Sequence, residues 1–364
     1  MAKFTFGQIA KEVRLTYNGD KTDMPIVGLE HIVPKELTVT NYDINTNNTF
    51  TKSFKKGQIL FGRRRAYQHK AAIATFNGIC SGDITVIEPI EGMVYPALLP
   101  FIVQNDAFFS HAVQGSAGSL SPRVKWEHLS SYEIELPSIE EQRVLAEKLW
   151  AAYRLKESYK RLLAATDEMI KSQFIEMFGN PVTNSKSWQT KAIMEVAPEQ
   201  PSKKRMQGKV WLLNLDMIES NTGKVIEKVY ETSENTLSVQ PFDEGNVLFS
   251  KLRPYLNKVV VPDEYGLATT ELVPLRPNQE KLHKVFLSYL LRSQQFVTFA
   301  NKISGGTKMP RMPLAELRKF ECILPPMSEQ LKFVGITEQA DKSKFELRKS
   351  IDAIDQVIKS LING

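Results

Sequence analysis

Along this chain, short apolar runs alternate with polar stretches punctuated by glycine and proline, and two long segments carry a helical period instead. QILFG after Gly57, NVLFS from Asn246, ITVIEP from Ile84 and ELVPLRP from Glu271 read as short strands. The first long segment repeats apolar residues at Leu145, Leu149, Ala152, Tyr159, Leu162, Met169 and Ile170, with Thr166 in the same stripe. Ser138, answered by Glu141 three residues on, predicts a capping box at its start, and Gly179-Asn180-Pro181 predicts its stop. The second carries Leu347, Ile351, Ile354, Ile358 and Leu361 in steps of 4, 3, 4 and 3, the period of a coiled-coil seam. It opens on Pro325-Pro326 with Leu331 in place of a capping acid, so its cap is built differently. Helices of this length would be roughly 50 to 60 Å long, and one apolar stripe on each predicts that they pack on one another.

The pattern occurs twice. Gly57–Lys70 lies over Gly245–Lys258 at an offset of 188, and extending the alignment to Pro89 and Pro277 keeps eight identities in 33 positions. Chance would give roughly two at average composition. The offset returns where Pro122–Gln142 lies over Pro310–Gln330, with eight identities in 21 positions. Each half is therefore the same module in the same order, a globular part followed by a long helix. The expected fold class is mixed α+β: two globular α/β domains separated by two long antiparallel coiled-coil helices, related by a pseudo-two-fold internal repeat. The expected boundaries are 1–137 and 180–325 for the globular domains, and 138–179 and 326–364 for the helices.

Composition adjusts this only slightly. Forty-two per cent hydrophobic residues can build a sizeable core, and no run approaches the roughly 20 apolar residues needed to cross a bilayer. The N-terminal residues show no secretion signal, so the expected compartment is the cytoplasm, with no membrane partner. The net charge of +6 suits a polyanion, but it is spread thinly, with 21 basic and 20 acidic residues through Asn180 and 26 and 21 beyond. A DNA-binding reading must therefore rest on local clusters.

Two such clusters occupy corresponding places. Arg63, Arg64, Arg65, Tyr67 and Lys70 follow one strand, and Lys251, Arg253, Tyr255 and Lys258 follow its counterpart. Arginine can bond two atoms of a guanine edge, and lysine anchors phosphate. A second polar loop recurs as GSAGSLSPR and SGGTKMPR, making Ser116, Ser119, Arg123, Thr307, Lys308 and Arg311 further candidates for DNA contact. Catalysis finds little support. The five histidines are scattered, Cys80 and Cys322 show no ligand spacing, and no triad, metal set or methyltransferase motif emerges. No cofactor is expected on this chain. The rival reading is a coiled-coil scaffold whose end domains grip protein.

The duplicated strand-Arg-x-Arg-x-Tyr pattern, the LPxxxEQ helix openings at Leu136–Gln142 and Leu324–Gln330, and FGNP at Phe178–Pro181 resemble the specificity subunit of Type I restriction-modification enzymes over the whole chain. The resemblance implies two target-recognition domains, each reading half of a split DNA site, held apart by two antiparallel helices. Those helices dock two methyltransferase subunits, with restriction subunits joining through them. S-adenosylmethionine, ATP and Mg²⁺ would then belong to the partners. One departure, Ala66 against Pro254, leaves open whether both arginine loops share a shape.

Overall fold

The computed structural model describes residues 2–118, 120–204, 208–232, 238–306 and 308–363. Two compact units emerge: one comprises 1–160 with 348–364, the other 161–347. Each long helix therefore contributes one end to each unit.

In the first unit, a five-stranded sheet runs in the spatial order Ala10–Val13, Ile84–Pro89, Ile59–Gly62, Ala71–Ala74 and Thr38–Val39. A three-stranded sheet places Gly78–Cys80 between Ile26–Val27 and Lys52–Phe54. The strands expected at QILFG and ITVIEP are both central, and their side chains as far as Ile87 are buried because helices and the second sheet cover both faces. In the second unit, Val247–Ser250 pairs with Leu272–Leu275 in the same antiparallel register that Ile59–Gly62 makes with Ile84–Pro89. Leu60 faces Val86, and Leu248 faces Pro274.

The repeat extends beyond the stretches that align by identity. Ile26–Ile79 and Leu212–Leu267 are matching parallel pairs, but their first members differ by 186 rather than 188, because the early segments differ slightly in length. Gly78 and Gly266 are alike for a steric reason. A Cβ there would stand 2.5 Å from the Pro25 carbonyl oxygen in one module and 2.5 Å from that of Trp211 in the other.

The long helices are α1 (Ile139–Phe178) and α2 (Met327–Asn363). At the start of α1 the Ser138 N–H and hydroxyl donate to Glu141 Oε2 at 3.0 and 2.8 Å, the expected capping box. Gly179, at φ +75°, ends the helix as expected. The feature common to both openings is the glutamine that follows the glutamate. Gln142 accepts from the Tyr95 N–H and donates to the Pro137 carbonyl, both at 2.9 Å. Gln330 accepts from the His283 N–H at 2.9 Å and donates to the Pro325 carbonyl at 2.8 Å. Both glutamines are buried, so each pins its helix start to its own globular part.

Within the first unit, Leu149 and Tyr153 of α1 share a core with Ile358, Leu361 and Ile362 of α2, and Lys156 pairs with Asp355 at 2.6 Å. Within the second, Phe174 packs on Phe333 and Asp167 pairs with Lys344 at 3.0 Å, so the two helices run antiparallel there. Leu162 and Met169, placed in the inward stripe by the sequence pattern, are instead exposed. The inward positions a turn away from them are partly polar, which an apolar count passes over.

Candidate nucleic-acid interface

The two loops that the sequence offers separately form one edge in each module. Arg63 donates its N–H to the Asp83 carbonyl at 3.0 Å, and its own carbonyl accepts from Val124 at 2.9 Å. Arg65 donates its N–H to the Pro122 carbonyl at 2.8 Å, while Ala117 and Arg123 exchange backbone bonds at 3.1 and 2.9 Å. The second module repeats this frame at the same offset. Lys251 lies between Glu271 and Met312, Arg253 reaches Pro310 at 2.7 Å, and Gly305 pairs with Arg311.

Arg65 and Arg253 both adopt the left-handed backbone conformation, at φ 54° and 49°, and each opens a 3-10 turn that ends on another left-handed residue, His69 or Asn257. The loops therefore share one shape despite Ala66 and Pro254. Both residues are buried at the first position of the turn, where the backbone nitrogen needs no intrahelical partner.

Side-chain engagement divides the candidates. Arg123 grips Asp83 through Nε at 2.7 Å and Nη2 at 3.3 Å, and Arg64 reaches Asp83 at 3.4 Å and the Ser121 hydroxyl at 3.0 Å. Hydrogen bonds from the Arg123 guanidinium hold the Asp83 carboxyl below the ordinary carboxylate range. Arg311 grips Glu271 in the same way, at 2.9 and 3.1 Å. Lys70 donates to the Leu29 carbonyl at 2.7 Å and Lys258 to that of Leu215 at 2.6 Å. The Ser116 hydroxyl returns to the Ala112 carbonyl at 2.9 Å. These groups brace the edge.

Among the described residues, Arg63, Arg65, Lys251, Arg253 and Lys308 have no side-chain hydrogen-bond or ion-pair partner, and Nε of Arg63 and of Arg253 is buried and unsatisfied. Tyr67 is 56% exposed and Tyr255 49%, so neither ring is core. Ser119 and Thr307 lie outside the described residues. Each module thus presents a free left-handed arginine and an exposed tyrosine two residues on, on a rigid backbone frame. Such an edge can donate fork-like hydrogen bonds to base edges or phosphates and lay a ring against sugar or base.

Identity counting missed the braces' acids, Asp83 and Glu271. They occupy aligned positions as an Asp–Glu pair, and matching charge rather than residue would have found them. The histidines are also less scattered than they look in sequence. His111 and His128 stack at 4.1 Å, each ring Nε2 facing the other's carbonyl at 2.8 and 2.7 Å, as a clasp between two short helices. Among the described residues, no group of three or more His, Cys, Asp or Glu is arranged to hold a metal ion, and no helix is long and apolar enough to cross a membrane.

The family described as Type I restriction modification DNA specificity domain matches residues 8–165 and 185–356. The Type I restriction enzyme EcoDI specificity subunit of Escherichia coli is 22% identical over 76% of this chain and 70% of its own. The Type I restriction-modification system S subunit from M. genitalium superposes with a TM-score of 0.57 at 12% identity, over 99% of this chain and 94% of that one. A chain from a structure titled for complex assembly and conformational transition of the type I R-M system gives 0.54 at 17% identity, over 98% and 97%. At such identities the two structures speak for the fold.

Proposed function

The chain belongs to the Type I restriction modification DNA specificity domain family, which matches both of its halves, and we propose that it is the DNA-recognition subunit of such a system, each module reading one half of a bipartite duplex site. The observation that carries this reading is the repeated edge, in which Arg65 with Tyr67 and Arg253 with Tyr255 stay unengaged while the basic groups around them brace the loop. The half-sites differ, because the modules differ at positions on that edge, with Arg64 against Leu252 and Gln68 against Leu256. Phosphate contacts set the register, and base contacts select the sequence.

In this reading the subunit itself is non-catalytic. Two methyltransferase subunits dock on the long helices, and restriction subunits join through them. S-adenosylmethionine, ATP and Mg²⁺ act on those partners. Exposed apolar side chains on α1 support a docking role: Leu155 in the first unit, and Leu162 and Met169 in the second, in steps of seven residues. Sequencing the methylated adenines of a host that carries this chain with its methyltransferase is expected to return one split motif with unlike halves. A host that gains no such motif, with purified chain that shows no salt-dependent duplex binding, would instead support a protein-binding scaffold.

A further inference from the structure

The first module carries an open groove of about 840 Å³ beside its arginine edge. Arg63 and Lys125 line it from adjacent, mutually pinned segments, since Val124 donates its backbone N–H to the Arg63 carbonyl at 2.9 Å. Neither side chain has a hydrogen-bond or ion-pair partner among the described residues, and Arg63 Nε is buried and unsatisfied. Thr16, Thr49 and Thr51 also line it, and among the described residues their exposed hydroxyls make no hydrogen bond. The groove's acids are largely answered: Asp83 by Arg123 and Arg64, and Glu12 by Arg14 at 2.8 Å. Of these acids Glu127 alone has no ion pair among the described residues, against the two unpaired cations Arg63 and Lys125, so the unpaired charge favours an anion.

We propose that this groove seats the sugar–phosphate backbone of one strand of duplex DNA, with Arg63 and Lys125 neutralising phosphates and the threonine hydroxyls donating to phosphate oxygens. The inference rests on the DNA-recognition reading and adds contacts that the repeat could not reveal. A point-charge lysine and a row of hydroxyls offer no paired, planar match to a base edge, and the arginine fork beside them fits two phosphate oxygens, so the set suits phosphodiesters. The seat belongs to the first module alone, because Lys125 and Thr51 correspond to Pro313 and Val239 in the second. It anchors one half of the site more firmly than the other.

The test uses the full chain and a pool of random-sequence DNA duplexes, read by equilibrium binding across a salt series and by sequencing the bound fraction. Lys125→Ala is expected to weaken binding to all sequences alike and to lower the slope of log affinity against log salt by about one, with the selected motif unchanged. Lys125→Arg should restore the slope. Thr51→Val should weaken binding without altering the slope or the motif. An unchanged affinity and slope in Lys125→Ala, while Arg65→Gly still loses binding, would overturn the groove but leave the reading intact. A motif changed by Lys125→Ala would overturn the phosphate role. Failure of the unaltered chain to select any sequence would overturn the underlying reading instead.

Discussion

Arg65 and Arg253 sit where the backbone favours glycine. A side chain in the left-handed region costs about 1 kcal/mol or more, and an arginine there in both modules calls for a reason beyond the fold. The guanidinium supplies one, since it is held at the edge without a partner among the described residues. Arg65→Gly and Arg253→Gly should therefore change stability by no more than about 1 kcal/mol, because relief of strain offsets the added freedom of the unfolded chain. Each should weaken DNA binding by about 1–3 kcal/mol if the arginine reads a base, with preference relaxed at one position in one half-site. Thermal melting and binding-site selection measure the two effects. A variant that lost stability and kept its selectivity would make the arginine a structural residue. Sequence alone set Lys70 and Lys258 in the same clusters as these arginines and kept Arg123 and Arg311 as second-rank candidates for DNA contact, because side-chain partners are distant in the chain: Asp83 is 40 residues from Arg123, and Leu29 is 41 from Lys70.

At the level of elements, the long helices were legible in extent and only partly in orientation. Caps and stops are local chemistry, and Ser138, Glu141 and Gly179 behave as their positions predict. The inward face depends on what lies opposite. Lys344 is a buried lysine in that face, and although burial opposes its charge, the carboxylates of Asp341 and Asp167 raise its pKa overall. Adding 188 to Lys156 gives Lys344, and subtracting 188 from Asp355 gives Asp167, so the two interhelical pairs are copies of one self-complementary contact. Asp167→Ala should destabilise the second unit by about 1–3 kcal/mol, because a charge-assisted bond to a buried ammonium is lost. The double variant Asp167→Leu with Lys344→Met should recover that stability, since apolar packing can replace such a pair. Denaturant midpoints check both, and a neutral Asp167→Ala would show that the pair contributes nothing to stability.

At the level of the whole molecule, one module should be exchangeable without disturbing the other, because each keeps its own core, frame and glutamine pin. Replacing residues 180–325 with the corresponding domain of a relative is expected to change one half of the methylated motif and preserve the other, as read by methylome sequencing. Alteration of both halves would show that the modules do not read independently. The duplication, the order of parts, the helix ends and the place of the arginine loops follow from the sequence by itself, because a repeat and a cap depend on residues close together or at one constant offset. Only the tertiary structure decided that the two polar loops form a single edge, and which cations on it are free. It also decided that the glutamine after the glutamate of each opening anchors its helix, and that Leu162 and Met169 face outward. Each of these turns on contacts between residues far apart in the chain, where the identity of the partner, rather than the residue itself, determines whether a charge braces the fold or remains available to a ligand.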